Sequence, residues 1–551
     1  MERHYVTVGD RQVHYTSAGQ GLPIVLLHAS PGDYRPLRGL VEELARWFTV
    51  YALDTPGHGG SDPLPVAEPA MADYGAALGE TLTALGLERV HLYGTHTGAK
   101  VALAFAVAQP GRVASLVLDG LGISTPEERA DQLANYLPPI ARRGDGTHLV
   151  EAWHRVRNMY LFWPWYNERP EARLASAMPS PGYLHEVTTG MLETGGTYSL
   201  AYRAAFVCDP APLLARLAVP SLLFASPGDP LHAHLDRLPD LGTRIRVEDL
   251  AAGSDSPQGV AARVRSHAAA HPEGVTGAPA RPEVRAAGTL TRRYVSTRLG
   301  QVLVRWTGTG TAGRPLVALP PAPASGHAVD GLLSRAGEHR PAFAVDLPGT
   351  GDSDLRGKLT VDAGQLAEAV RDVLEELGLG TVDLYGSGAG GTIAAAVAER
   401  HPARVHALAL AALPDPERLP AELASARTPS LTPDDHGTHL LRAWHLVRDG
   451  GLRPGTSPPS TGGDGGRPDL AVLERRVLDI VKAWPTYGSV FRAAVLDGVV
   501  RRLAALRTPI VAADPIWDPF VADAEFTPSH SPHDGRGGQA ALLKALDEAG
   551  T

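Results

Sequence analysis

The sequence predicts two α/β domains in tandem, each a mostly parallel sheet flanked by helices and carrying a helical cap. Three observations lead there. The chain has 551 residues, long for one core when ordinary domains hold roughly 100–200. It also repeats itself: DTPGHGGSD (54–62) recurs as DLPGTGDSD (346–354), and LYGTHTGAK (92–100) recurs as LYGSGAGGT (384–392), both 292 residues downstream. Two unrelated motifs sharing one offset mark a duplication. Finally, short apolar runs alternate with amphipathic ones. In the first copy PIVLLHA (23–29), FTVYALD (48–54), VHLYG (90–94), ASLVLD (114–119), SLLFAS (221–226) and RIRVEDL (244–250) read as strands, with helical stretches such as 71–86 and 98–109 between them. Strands nearly continuous in hydrophobicity and separated by helices pair in parallel and are covered on both faces.

The long, helical, Trp-rich stretch between the strand at 114–119 and the strands that resume near 220 is expected to form a cap over the strand ends. Its core, GTHLVEAWHRVR (146–157), recurs as GTHLLRAWHLVR (437–448). The Pro-, Gly- and Ala-rich HPEGVTGAPARPEVRAAGTL (271–290) has no apolar periodicity and reads as a connection. The expected layout is a first domain over 1–272 with its cap at about 122–212, a linker over 273–287, and a second domain over 288–551 with its cap at about 414–500.

Composition narrows the function classes. With 44% hydrophobic residues, 20% charged residues and a net charge of -9, the chain lacks the basic field that phosphate backbones require, so no nucleic-acid partner is expected. Apolar runs such as VALAFAVA (101–108) fall short of the ~20 residues of a membrane span, and MERHYVTVGDRQ lacks an apolar signal core. A cytoplasmic location without a membrane partner is the expectation. The single cysteine, Cys208, excludes an internal disulfide framework and a cysteine zinc site. His148, His154, His232 and His234 stand at uneven spacing without a carboxylate frame, so no metal and no other cofactor are expected.

Three motifs of the first copy resemble those of the α/β-hydrolase fold family, and the resemblance covers almost all of both copies. HASPG (28–32) stands where that family carries its oxyanion loop, DTPGHGGSD where it carries the D-x-x-G-x-G-x-S segment, and GTHTG (94–98) where it carries the nucleophile elbow, normally G-x-S-x-G. The resemblance implies an enzyme acting on a small, partly apolar molecule: an ester, lactone, epoxide or activated carbonyl. The departures are equally plain. The elbow's central residue is His96 in the first copy and Gly388 in the second, so neither offers the usual nucleophile. The second copy has Pro320 and Pro321 against His28 and Ala29, and proline has no N–H for an oxyanion. It keeps Asp518 and His530 near the family's acid and base positions, and is expected to act as a stabilising partner packed on the first copy.

For the first copy the matching positions make His96 the expected base or nucleophile, oriented by Asp229 in ASPGDPLH (225–232) or by Asp119 at the end of the strand at 114–119. The position matching His530 is Asp255, so the relay histidine is expected to be missing, with His232, His234 and His267 as spare candidates. The N–H groups of Ala29 and Thr97 are the expected oxyanion donors, with His28 shaping their loop. In the cap, His148, Trp153, His154 and Arg157 recur in the second copy. Helical spacing lets this stretch turn polar groups toward a cleft, and YLFWPWY (160–166) suits an apolar or aromatic ligand. Hydrolysis is joined by elimination, isomerisation and cyclisation because the serine is absent. The competing expectation is a catalytically silent binding protein or scaffold, a pseudoenzyme whose pockets capture a ligand.

Overall fold

The computed structural model describes residues 1–251, 254–277, 290–308, 313–357, 360–411, 413, 428–451, 469–512, 543–546 and 548–549. The chain divides into two units, built principally from Met1–Ala141 with Thr147–Glu283 and from Val284–Thr432 with Thr438–Thr551.

The first unit opens with β1 (Glu2–Val8), β2 (Arg11–Ala18) and β3 (Leu22–Leu27), followed by α1 (Arg38–Leu44), β4 (Phe48–Leu53), α2 (Met71–Ala84), β5 (Leu87–Thr95), α3 (Thr97–Ala108) and β6 (Val113–Asp119). Four helices then intervene: α4 (Pro126–Asn135), α5 (Thr147–Met159), α6 (Pro181–Glu193) and α7 (Tyr198–Val207). The unit closes with α8 (Ala211–Arg216), β7 (Ser221–Ala225), β8 (Ile245–Asp249) and α9 (Pro257–Ala269), and a two-residue β9 (Thr276–Gly277) edges β5. The sheet runs β1-β2-β4-β3-β5-β6-β7-β8. β1 and β2 pair antiparallel, β2 meets β4 antiparallel, every later pair along this order is parallel, and β9 lies antiparallel to β5.

Alternation along the central strands divides the core into two layers. Val25 and Leu27 pack with Leu82, Leu103 and Phe105 on the α2–α3 face, whereas Ile24 and Leu26 pack with Leu44, Phe224 and Val264 on the α1–α9 face. Because both faces are covered, the strands carry apolar residues at nearly every position, which is the pattern the sequence shows. All parallel strands point their C-terminal ends the same way, so the loops after β3, β5, β6, β7 and β8 gather along one edge.

α6 is held to that edge by a buried charge group. The Arg35 guanidinium donates through Nε to Asp33 Oδ2 at 2.8 Å and through Nη2 to Glu193 Oε2 at 2.7 Å. Arg38 adds a contact to Glu186 at 3.1 Å.

The second unit repeats the plan. Its elements are β10 (Thr291–Thr297), β11 (Gly300–Thr307), β12 (Leu316–Leu319), α10 (Asp330–Gly337), β13 (Ala342–Val345), α11 (Ala363–Glu376), β14 (Val382–Ser387), α12 (Ala389–Arg400) and β15 (Val405–Ala411). After these come α13 (Thr438–Gly451), α14 (Leu470–Lys482), α15 (Tyr487–Leu496), α16 (Val499–Ala505) and β16 (Ile510–Ala512). The order β10-β11-β13-β12-β14-β15-β16 reproduces the first seven positions of the other sheet. Most of the expected linker, and Asp518 and His530, lie outside the described residues. Among the described residues no helix is long and apolar enough to cross a membrane.

Candidate active site

The site is built around one strained residue. His96 joins β5 to α3 with φ 49° and ψ −109°, and it is the only non-glycine with positive φ among the described residues. Such a conformation costs about 1–3 kcal/mol and persists only where its surroundings enforce it. Here the His96 N–H donates to Asp119 O at 2.9 Å, and the His96 carbonyl accepts from Ala99 N at 3.1 Å. The flanking glycines are needed for contact rather than flexibility. A Cβ at Gly94 would meet Gly98 O at 2.3 Å, and one at Gly98 would meet Leu27 O at 2.4 Å and His28 O at 2.6 Å. The start of α3 is thereby pressed against the end of β3.

The half-buried imidazole reaches across to the loop after β7, where Nε2 stands 2.6 Å from Asp229 Oδ2. The other carboxylate oxygen of Asp229 accepts from Leu231 N at 2.7 Å, which fixes its plane. Burial disfavours charge on both partners, but their mutual attraction outweighs it: His96 is raised to about 9 and Asp229 is held below the ordinary carboxylate range. At neutral pH the pair is therefore an imidazolium–carboxylate contact.

Asp119 is oriented otherwise. Its Oδ2 accepts from the Tyr93 hydroxyl at 2.6 Å, and burial, aided by the nearby Asp229 charge, pushes it up to about 6. Of the two acids expected from sequence, Asp229 meets the imidazole and Asp119 takes a tyrosine. The relay position holds Asp255, which accepts from Ser226 Oγ at 2.9 Å. The spare histidines are placed elsewhere. His232 stands 3.3 Å from Asp249, His234 Nδ1 accepts from Ile123 N at 2.8 Å, and His267 lies 3.3 Å from Pro220 O.

Ala29 ends the β3 side of the site and is partly exposed, while Thr97 is the first residue of α3. Amides in a helix's first turn have no acceptor within the helix and carry its positive end, so the Thr97 N–H suits a developing oxyanion. His28 is spent on the loop itself. Thr55 N donates to its Nε2 at 3.0 Å, which leaves the ring hydrogen on Nδ1 to donate to Ala29 O at 2.9 Å. Both ring nitrogens of His28 are thus engaged within the loop itself.

In the cap, His148 and Trp153 are fully buried, the Trp153 indole N–H donates to Asp435 O at 3.3 Å, and His154 is exposed. Helical spacing identified the helix but not which face turned inward. Aromatic residues instead gather around Tyr136, whose ring centroid lies 5.8 Å from Trp163, 5.3 Å from Tyr202 and 5.0 Å from Phe206. The Tyr202 hydroxyl donates to Ser30 O at 2.7 Å, tying this cluster to the residue after Ala29. Sequence reasoning missed Tyr93, Arg35 and Gly120. For Tyr93 a signal existed: Tyr385 keeps the tyrosine in the second copy, but the residue matching Asp119 there is Ala411.

In the second unit Gly388 occupies the elbow with φ 54°, and its N–H donates to Ala411 O at 3.0 Å. The backbone device survives without a functional side chain.

The family model described as alpha/beta hydrolase fold matches residues 23–241 and 314–431. A 2-hydroxy-6-oxononadienedioate/2-hydroxy-6-oxononatrienedioate hydrolase of Pseudomonas putida is 43% identical over 119 residues, covering 20% of this chain and 41% of the relative. A protein of the same name from Dechloromonas aromatica is 37% identical over 124 residues, covering 22% and 43%. The chain thus spans about two-fifths of the length of the curated relatives it matches. A solved hydrolase structure from Pseudomonas aeruginosa is 20% identical, covers 48% of this chain and 98% of its own, and has a TM-score of 0.39. With two matched regions that fall on two sheets of the same strand order, each with an elbow between its central strand and helix, the chain belongs to the alpha/beta hydrolase fold family.

Proposed function

We propose that the first unit is an enzyme acting on a small, partly apolar organic molecule that carries an ester or an activated carbonyl, with His96 working in the place of the family's serine. The observation that carries this reading is the 2.6 Å contact between His96 Nε2 and Asp229 at the strained elbow position. A titratable dyad held in a costly backbone conformation beside free helix-end amides is what proton transfer to a substrate oxygen requires. An imidazolium has no lone pair for attack, so below about pH 9 His96 donates a proton rather than acting as a nucleophile. The substrate oxygen would lie at the Ala29 and Thr97 amides, and Asp229 would hold the ring in place. The activity for which the relatives are named makes 2-hydroxy-6-oxo dienoates the first compounds to try, and the aromatic residues around Tyr136 suit a conjugated body.

The test is turnover by the wild-type protein and by His96→Gln on 2-hydroxy-6-oxononadienedioate and a panel of esters, lactones and epoxides, followed by mass spectrometry. His96→Gln is expected to lower kcat at least ~100-fold, the scale of a lost acid–base group. The wild-type rate is expected to fall as pH rises through about 9, where the imidazolium is lost. The pair's contribution to stability has the same sign: a histidine raised in the folded state stabilises fully below its unfolded value and loses that contribution as pH rises through 9. The silent binding protein is favoured by one specific observation, the relay position occupied by Asp255. Absence of wild-type turnover on the whole panel would select it.

A further inference from the structure

We infer that Gly120 is the positioning residue of the elbow dyad, and that its missing side chain is the space in which His96 and Asp229 meet. Gly120 follows Asp119 at the end of β6 with φ +63°, and its N–H donates to Phe224 O at 2.9 Å. A Cβ built there would lie 2.4 Å from His96 Cδ2, 2.7 Å from His96 Nε2 and 3.1 Å from Asp229 Oδ2. Carbon–carbon contacts settle at about 3.5–4.0 Å. The ring cannot back away along the chain, because Asp119 O holds the His96 amide and α3 begins at the next residue. Any side chain at 120 therefore rotates the imidazole off the carboxylate.

The second copy shows the complementary choice. At the offset of 292, His96 corresponds to Gly388 and Gly120 corresponds to Ala412. The elbow backbones match, with φ 49° and 54° and the same amide bonded to the last carbonyl of the strand that follows the elbow helix, Asp119 O of β6 or Ala411 O of β15. Where the elbow carries an imidazole the floor residue has no side chain, and where the elbow is bare the floor residue has a methyl group. Ala412 lies outside the described residues, so this comparison is one of sequence. A glycine kept only for its positive φ would be insensitive to residue 96. A glycine kept for space would not.

That difference is measurable as a double-mutant cycle on the full chain: Gly120→Ala, His96→Gly, and both together. Gly120→Ala is expected to lower Tm by at least ~6 °C in the wild type but by under ~3 °C in His96→Gly, where only the φ penalty remains. If Gly120→Ala does not fold, the double variant, which reproduces the second copy's pair, is still expected to fold. In folded Gly120→Ala the His96 ring resonances are expected to titrate well below about 9, because the carboxylate contact that offsets burial is lost, a shift that loss of stability alone would not produce. Equal Tm losses in both backgrounds, or an unmoved His96 titration, would overturn the inference. The effect on catalysis rests on the proposed function. The cycle and the titration do not, so a protein without turnover leaves them readable.

Discussion

Lowering the pH from 7 to 4.5 is expected to unfold the first unit while the second keeps its described core. Four histidines of the first unit are buried and held neutral. Burial pushes His58 down to about 3, and His91, His234 and His267 each down to about 4. Their surroundings suit the neutral ring. His91 pairs with Ser115 Oγ at 2.9 Å, and His234 accepts a backbone N–H on the nitrogen that a second proton would occupy. A histidine lowered on folding binds its proton more readily in the unfolded chain, so stability falls as pH drops below 6.5 and continues to fall to the folded value. At pH 4.5 each of these histidines costs on the order of 2 kcal/mol, and four approach the whole stability of a domain, about 5–15 kcal/mol. Asp119, raised to about 6, works the other way between pH 6 and 3.8 but is one group against four. In the second unit Asp346 is fully buried and raised to about 7, so acidification from 7 toward 3.8 relieves a charged carboxylate there. Hydrogen exchange followed by mass spectrometry at pH 7 and pH 4.5, corrected for intrinsic rates, separates the units. Unchanged protection of β5, β6 and α9 at pH 4.5 would contradict this account.

How much was legible in the sequence follows from which interactions are local. The duplication, the strands and the two elbows were readable because each depends on a short run: alternating apolar segments, or glycines two residues either side of a turn. The choice between Asp229 and Asp119 was not readable. Both stand at strand ends on one edge of the sheet, and the decision lies with Tyr93, which takes Asp119 at 2.6 Å and leaves Asp229 for the imidazole. The cap helix was found by its repeat, but its inward face was not. His148 with Ala152 and Arg155, and Trp153 with Arg157, keep helical spacing whether they line a cleft or fill a core, and His148 and Trp153 are fully buried. Gly120 was legible in principle, because the repeat already set Ala412 against it. Its meaning appears only when the imidazole's position is known.

Replacing Arg35 by alanine is expected to destabilise the first unit by about 3–5 kcal/mol, the cost of breaking a buried ion pair from one side. Arg35 is separated in sequence from Glu193 by most of the cap, so nothing in the run PGDYR announces the partner. In the folded unit its guanidinium lies between Asp33 and Glu193, and its attraction holds Asp33 below the ordinary carboxylate range although burial pushes the other way. Removing it leaves two carboxylates facing each other with little solvent. The expected response is release of α6 from the loop that follows Ala29, because Arg35 joins that loop to the cap. The loss should be smaller in a chain that also carries Asp33→Asn and Glu193→Gln, since neutral amides need no countercharge. Urea titration of the single and triple variants reads this directly. A single variant within ~1 kcal/mol of the wild type would mean that the group behaves as a surface ion pair, and that α6 is held by its buried Leu184, Val187 and Met191 together with the Arg38–Glu186 contact.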